Sequence, residues 1–462
     1  MIGLLTENET EMARFCIERA MKLGASAVRV SLNKNVTDTV TVFNGQLDKV
    51  THSSDRSIYL YLFVDGKYGT FSTNRLEKND LEAFITKSIE TVRLFEKDIC
   101  RRLPQKERTV KDASTGLEAG LFDKAYFEED IDSRIAKAFK ISIYGQLISK
   151  PEDNWSLISE ECEWSDSIDD TLLLDSQGLE ARHTETSAGC FCEMNVSDPD
   201  GNKFSGYWWD SSWSAAKVDM KGCARQALNN VLRQFSPKRS RSGKYNMVVD
   251  TSVASRLVTP LLNALNGSSL QQRMSFLEGS LGKQMFPENL TIMDMGREAG
   301  KLGARLYDSE GVEVKNAPII EKGVVKQYFT NTYISEKTGL EPTVDDVSRP
   351  CIQAFIQGDA SSGEVRLEDI LKKCKNGVYV TGFNGGNSNP VTGDFSFGIE
   401  GFRFRDGHVT HPVRGMLITG NLIELWGNLI AAGSDARQCT RWQIPSLAFS
   451  EVSVTSSTIS HS

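Results

Sequence analysis

Apolar residues near the start of the chain repeat with helical spacing. The repeat consists of Met12, Cys16, Ala20 and Leu23, which are four, four and three residues apart. Side chains with this spacing lie on one face of an α-helix. Thr10 is placed to cap the helix, and Gly24 can adopt the left-handed conformation that ends it. The pattern therefore predicts an amphipathic first helix.

Strand-like runs follow, joined by dipeptides that suit tight hairpins. The runs cover residues 27–32, 40–43, 58–64 and 68–72. Asn44-Gly45 and Asp65-Gly66 accept the positive φ angles that two-residue hairpins require. A second helical pattern covers residues 80–95. Helix, antiparallel strands and helix together predict an α+β module over residues 1–97.

A second α+β module is predicted over residues 98–236. It opens with a polar, charged connection that extends to about residue 118. A helix is expected near residues 128–147 and a long helix over residues 215–235. Between them, strands are expected around residues 155–164, 171–174, 180–193 and 203–209.

The remainder, residues 237–462, predicts a β-rich C-terminal domain. Short strands alternate with turns such as Lys322-Gly323 and Asp406-Gly407, and helical patterns are confined to residues 252–266 and 367–376. Residues 236–244, at the start of this domain, carry four positive charges with no aromatic residue among them. This pattern favours a solvated linker over a polyanion site. The predicted fold class is α+β.

Composition excludes several classes of protein. A chain of 462 residues with 39% hydrophobic and 25% charged residues is expected to fold as two or three domains. Its net charge of -8 disfavours a nucleic-acid partner. No apolar run approaches the length of a membrane span, and the acidic start is unlike a signal peptide, so we expect no membrane association and a cytoplasmic location. The nine cysteines are interpreted as reduced thiols.

Imidazole chemistry is limited to five residues: His52, His183, His408, His411 and His461. His408 and His411 are three apart on one predicted strand, so they point to opposite faces and are not expected to bind one zinc ion. His183 is expected to be a surface strand residue. Neither a phosphate-binding loop nor a Gly-x-Ser-x-Gly elbow occurs.

An acidic cluster lies in the second module. It comprises Glu160, Glu161, Glu163, Asp166, Asp169 and Asp170. Paired carboxylates could bind a cation, but alternating acidic residues are also typical of an exposed strand face, and we favour the exposed face.

Glycine is concentrated in the C-terminal domain, above all in residues 382–401, GFNGGNSNPVTGDFSFGIEG. Glycine lets another backbone approach closely and also forms tight sheet corners. The residues alone leave both interpretations open.

The order of several motifs resembles the TldD/PmbA family, also called the modulator of DNA gyrase family, and within it the PmbA (TldE) branch. The motifs are Ser275-Phe276-Leu277, Tyr307-Asp308-Ser309-Glu310-Gly311-Val312, Asn384-Gly385-Gly386-Asn387, Val391-Thr392-Gly393-Asp394-Phe395-Ser396, Gly420-Asn421-Leu422 and Gly433-Ser434-Asp435. The resemblance covers nearly the whole chain and is strongest from about residue 250 to 450.

The resemblance implies that this chain lacks the family's metal. In the TldD branch, a His-Glu-x-x-x-His helix and a later cysteine hold a catalytic metal. The corresponding stretch here, residues 256–266, has no His or Glu, and Pro260 is expected to kink or restart the helix. The later ligand position falls on Gln443-Ile444-Pro445 rather than on Cys439. No catalytic residue and no metal ligand is therefore assigned, and zinc or another metal is expected only in a TldD-like partner.

The implied function is that of a metal-free subunit in a cytoplasmic metalloprotease complex that degrades or matures unstructured peptides. Its expected partners are a TldD-like subunit, peptide substrates and, as an option, a second copy of itself. Candidate substrate-binding residues are Gly385, Gly386, Asn387, Thr392, Gly393 and Asp394, with a purely structural turn as the competing interpretation. Two other functions stay open: a self-sufficient peptidase built from residues such as Cys439 and His183, and a non-enzymatic factor acting on DNA gyrase.

Overall fold

The computed structural model describes residues 3–147, 154–358 and 363–456, which form two compact units. The first unit comprises Met1–Val231, Arg297–Lys315 and Asn331–Asp345. The second comprises Leu232–Gly296, Asn316–Thr330 and Asp346–Ser462. Helices and mainly antiparallel sheets occur together, which confirms the α+β class. Within the described ranges, no helix has the length and apolar character needed to cross a membrane.

The elements are numbered in chain order. The helices are α1 (Glu7–Lys22), α2 (Lys78–Val92), α3 (Ile131–Ile141), α4 (Tyr144–Leu147), α5 (Met220–Leu232), α6 (Ser255–Ala264), α7 (Gly267–Gln271), α8 (Thr332–Thr338), α9 (Leu367–Cys374) and α10 (Leu422–Gly427). The strands are β1 (Ala27–Phe43), β2 (Gln46–Val64), β3 (Lys67–Thr73), β4 (Ser156–Asp175), β5 (Glu180–Ser197), β6 (Lys203–Ser212), β7 (Gly243–Val249), β8 (Ile292–Asp294), β9 (Ala317–Glu321), β10 (Val324–Val325), β11 (Pro350–Ile352), β12 (Phe355–Ile356), β13 (Gly377–Ser388), β14 (Asp394–Arg405), β15 (His408–Asn421), β16 (Leu429–Ala432) and β17 (Leu447–Ser456).

The first unit is built on an antiparallel sheet with the strand order β3-β2-β1-β4-β5-β6. Strands from both predicted N-terminal modules share this sheet, because β1 pairs with β4 along almost its whole length. Helices α1 and α2 cover one end of the sheet, where side chains such as Leu32, Leu60 and Ile85 are fully buried. Each such side chain contributes roughly 1.5–3 kcal/mol by leaving water. The boundary between residues 97 and 98 stays a prediction.

Two predicted strand breaks are wrong. The sequence placed breaks at residues 33–39 and 165–170, whereas β1 and β4 run through them without interruption. These polar stretches pair with each other, with Asn33 opposite Thr171 and Asp38 opposite Asp166. Side chains also bond across the strands, as where Asn35 Nδ2 donates to Asp169 Oδ1 at 2.7 Å.

The first helix is capped one turn earlier than predicted. Thr6, not Thr10, is the N-cap: its hydroxyl accepts the Glu9 N–H at 3.2 Å, and the Glu9 carboxylate accepts the Thr6 N–H at 2.8 Å. This reciprocal pair is a capping box, which satisfies two backbone donors that the helix leaves open. The predicted end is confirmed, since Gly24 follows the helix with a φ of +95°.

The exposed-face prediction for the acidic residues of β4 is wrong at Glu160, Asp166 and Asp170, which are all buried. Helix α3 covers this face and brings Arg134 to 2.8 Å from Asp166. Asp170 is paired with Arg182 at 2.6 Å, and despite its burial this pair and the N–H groups of two backbone residues hold its pKa below the ordinary value. Alternation along a strand shows which residues share a face, but it does not show what covers that face.

The Tyr307–Val312 motif forms a turn in the first unit that is largely buried and is organised by Asp308. The Asp308 carboxylate accepts the N–H groups of Glu310 and Val312 at 2.9 Å and that of Asp345 at 3.0 Å. Burial and then the neighbouring Asp345 charge raise the pKa of Asp308 to about 7.

The raised pKa of Asp308 predicts a pH dependence of stability. An aspartate in an unfolded chain titrates near pKa ~3.9, so the folded state binds the proton more tightly. The Asp308 contribution to the free energy of unfolding is therefore present below about pH 4 and lost as the pH rises toward about 7. Denaturant unfolding of the wild type and Asp308→Asn should show the wild type losing on the order of 3–4 kcal/mol relative to the variant over this range. Asp345→Asn should reduce that loss, and identical pH profiles for all three would contradict the prediction.

The second unit is β-rich, as predicted. Its larger sheet has the order β12-β16-β17-β15-β14-β13-β7. A further pairing of β17 with β7 joins the strands from β17 to β7 in this order into a closed ring. Strands β10-β9-β8-β11 form a smaller sheet. The turns predicted at Lys322-Gly323 and Asp406-Gly407 are confirmed, with φ between +47° and +77° at the four residues. The helices predicted at residues 252–266 and 367–376 are α6 and α9, whereas the short helices α7, α8 and α10, also within residues 237–462, were not predicted.

Candidate functional site

The six candidate residues gather at the tip of the hairpin formed by β13 and β14. Gly385, Gly386 and Asn387 lie near the end of β13, and Asp394 begins β14. Thr392 and Gly393 lie in the connecting loop. Five of the six are exposed, whereas Gly393 is buried.

Strand β13 carries a bulge at its two consecutive glycines. The register with β14 shifts between Phe383 and Gly386, and both Gly385 and Gly386 have φ near +90°. A Cβ atom at Gly386 would lie 2.0 Å from the Ser396 carbonyl oxygen, whereas one at Gly385 would have open space. Position 386 therefore needs glycine for both space and conformation, and position 385 for conformation alone.

Thr392 and Asp394 are bonded within the loop. The Thr392 hydroxyl donates to one Asp394 carboxylate oxygen at 2.7 Å, and the Asn421 side-chain amide donates to the other at 3.0 Å. The same amide donates to the Thr392 carbonyl at 2.8 Å. The bond from Asn421 and then that from Thr392 lower the pKa of Asp394. Its ionised carboxylate fixes the loop geometry.

Motifs that are far apart in the sequence meet at this hairpin. The Phe276 N–H donates to the Pro390 carbonyl at 2.9 Å, and the Leu422 N–H donates to the Gly393 carbonyl at 2.8 Å. The Ser275 hydroxyl donates to the Ala264 carbonyl at the end of α6 at 2.5 Å. Four of the motifs that carried the family resemblance thus build one local structure, with α6 fastened to it.

Helix α6 presents a guanidinium to the glycine bulge. Arg256 donates from Nη2 to the Gly386 carbonyl at 3.0 Å, and its guanidinium carbon lies 5.4 Å from the centre of the Phe397 ring. Arg256 and Asn263 are the exposed residues of α6. The helix continues through Pro260 as one element, so the predicted restart does not occur.

The residues of α6 do not fit a catalytic metal. None of the ten offers an imidazole, carboxylate or thiolate, and the positive charge of Arg256 opposes a cation beside the helix. The side chain of Gln443, at the later ligand position, is also occupied by hydrogen bonds. It is buried, and its amide donates to the carbonyls of Arg437 and Thr440 at 3.1 and 2.7 Å. Its carbonyl oxygen accepts from Gln438 at 2.9 Å.

The residues of the alternative peptidase site belong to different units. His183 lies on β5 in the first unit, with Nε2 3.2 Å from the Glu185 carboxylate. Cys439 is buried in the second unit. His408 and His411 lie on β15, and His461 lies outside the described residues.

Sequence reasoning missed Arg256, because its contact with Gly386 joins residues 130 positions apart and leaves no local pattern. Asn421 and Phe276 belong to the family motifs, but nothing in the sequence indicated that both hold the loop between β13 and β14.

Comparison with known proteins places all three regions of the chain in one group. Residues 28–91 match the PmbA/TldA metallopeptidase domain 1, residues 124–235 the central domain, and residues 242–456 the C-terminal domain. The metalloprotease PmbA of Escherichia coli O157:H7 is 23% identical over 459 residues, which span 97% of each chain.

Solved structures agree with these matches. A proposed modulator of DNA gyrase from Bacteroides thetaiotaomicron is 34% identical, with a TM-score of 0.91 over 98% of this chain and 100% of that chain. TldE from Thermococcus kodakarensis is 18% identical and has the same fold, with a TM-score of 0.81 over 96% of this chain and 100% of that chain.

Proposed function

We propose that this chain, which belongs to the PmbA/TldD metallopeptidase family, is the subunit without a catalytic metal in a cytoplasmic two-subunit peptidase acting on unstructured peptides. The observation that carries the proposal is helix α6. It lies against a glycine-rich hairpin, where a peptide backbone could approach, yet it offers no group that binds a metal. The hydrolytic metal would then belong to a TldD-like partner.

The hairpin tip suits an extended peptide. Gly385, Gly386 and Asn387 are exposed, and two of them have no side chain to obstruct a second backbone. Recognition by backbone hydrogen bonds tolerates many peptide sequences, which is what an enzyme acting on unstructured chains requires. The neighbouring guanidinium of Arg256 would favour peptides with a carboxylate at this position. In this proposal Thr392, Gly393 and Asp394 shape the loop, and the two glycines and Asn387 contact the peptide.

Co-purification tests the assembly. When this chain is co-expressed with a TldD-like subunit that carries His-Glu-x-x-x-His, we expect both chains to elute together in size-exclusion chromatography. An apolar interface of the obligate class is weakly screened, so the complex should persist at moderate salt. This chain expressed alone provides the reference elution volume. Separate elution of the two chains at every salt concentration would reject the two-subunit proposal.

A further inference from the structure

A cluster of thiols and one carboxylate lies in the first unit, outside the hairpin region. Cys162 on β4 is directly opposite Cys192 on β5, and the two sulfur atoms are 3.3 Å apart. Glu160 precedes Cys162 by two residues and therefore shares its face of the strand. All three side chains are buried, and one ligand atom from each lies within 4.8 Å of the other two.

The sulfur–sulfur distance is closer to that of a metal site than to that of a disulfide. A disulfide bond is about 2.05 Å long. Two sulfurs bound to one tetrahedral zinc at about 2.3 Å each lie roughly 3.8 Å apart. The third ligand atom, a carboxylate oxygen, has no role in a disulfide but is a recognised zinc ligand.

Glu160 has neutral neighbours. Its carboxylate accepts hydrogen bonds from the Ser142 hydroxyl and, at 2.9 Å, from the Ile143 N–H. In the part of the chain that the structure describes, no Lys, Arg or His forms an ion pair with it. Burial raises its pKa, and the contact with Cys192 followed by burial raises that of Cys162. A bound cation would supply the positive charge that this buried group lacks.

A second pair of thiols adjoins the first. Cys190 precedes Cys192 by two residues on the same face of β5, and its thiol donates to the Asp219 carbonyl at 3.8 Å, while Cys223 lies on α5. The Cys223 thiol also donates to the Trp208 carbonyl at 3.3 Å. Four thiols on neighbouring elements give this region a soft, sulfur-rich character that favours zinc over magnesium or calcium.

We propose that Glu160, Cys162 and Cys192 form a structural site for a thiophilic divalent cation such as Zn²⁺. On binding, the two thiols release two protons, and two thiolates and the carboxylate become ligands, so affinity falls as the pH is lowered. Ser142 and Ile143, which donate hydrogen bonds to Glu160, are partly exposed. The site is independent of the subunit role proposed above, and it adds a structural ion to a chain in which the family resemblance implied no metal.

Cobalt substitution tests the site in the intact 462-residue chain. After reduction and removal of metals, titration with Co²⁺ should give thiolate-to-cobalt charge-transfer absorption that saturates at one equivalent. Cys162→Ser and Cys192→Ser should each lose most of this absorption, and Glu160→Gln should weaken binding at least tenfold. Cys374→Ser is the matched control, because Cys374 is also buried but lies in the second unit. It should bind Co²⁺ as the wild type does.

A measurement on the unaltered chain guards against misfolded variants. One equivalent of Zn²⁺ should protect two thiols from a thiol reagent and raise the thermal midpoint by several degrees. Absence of charge-transfer absorption in the wild type, or absorption that survives both serine variants, would overturn the proposal. Formation of a Cys162–Cys192 disulfide by a mild oxidant at the same rate with and without Zn²⁺ would also overturn it and identify the pair as a redox site.

Discussion

An equimolar mixture of this chain with a TldD-like subunit is expected to cleave unstructured peptides, whereas this chain alone is expected to be inactive with or without added metal. The reason is chemical: metal-assisted hydrolysis needs ligands that hold the metal and a base that deprotonates the bound water. Helix α6 offers neither, since its exposed residues are a guanidinium and a carboxamide. Peptide cleavage followed by mass spectrometry measures the difference.

Two variants separate catalysis from substrate binding. Replacing the glutamate of the partner's His-Glu-x-x-x-His by glutamine should reduce the cleavage rate by about 10²–10⁴-fold, the usual contribution of a general base. Asn387→Trp in this chain, at an exposed position of the hairpin, should instead raise KM severalfold while the complex stays intact. Asn263→Trp, on the exposed face of α6, is a control for adding a large side chain nearby.

Other outcomes point to the competing functions. Activity of this chain alone that disappears in Cys439→Ser or His183→Gln would establish a self-sufficient peptidase. Full activity of the partner without this chain would reduce the chain to a scaffold. Binding to gyrase, with no effect on peptide cleavage, would favour an interaction factor. The first two results need only the two purified chains, and the third needs purified gyrase in addition.

Local backbone chemistry was predictable from the sequence. The turns at Asn44-Gly45 and Asp406-Gly407 were predicted because positive φ is a property of one or two residues, and both have φ between +47° and +77°. The extent of the strands was not predictable, because the polar middle of β1 is stabilised by pairing with β4 about 130 residues later. A pattern confined to one segment carries no information about such a partner.

The candidate site shows the same division. The order of its motifs identified the family, and the hairpin tip gathers all six predicted residues. Their burial and bonding depended on distant residues: Gly393 is buried against the Phe276 ring, and Asn421 holds Thr392 and Asp394. Arg256 could not be predicted as a contact of the hairpin, because an exposed helical arginine by itself indicates only a solvated side chain.

Gly386→Ala is expected to destabilise the protein by about 2–6 kcal/mol, because a positive φ costs about 1–3 kcal/mol and a steric clash costs a similar amount. The added Cβ would lie 2.0 Å from the Ser396 carbonyl oxygen and 2.7 Å from the Phe397 Cα, and neither backbone atom moves without disturbing β14.

Gly385→Ala is the matched control, since its φ is +91° but its Cβ would meet no atom within 4 Å. We expect it to cost only the conformational part, about 1–3 kcal/mol. Denaturant unfolding of both variants gives the difference that belongs to the clash alone. Equal destabilisation would mean that β14 yields to the new side chain and that the bulge is softer than its contacts indicate. A larger effect at Gly386 would instead show that a bulky residue there disrupts the hairpin before it can fill a peptide-binding surface, so exposed Asn387 is the position at which binding should be tested.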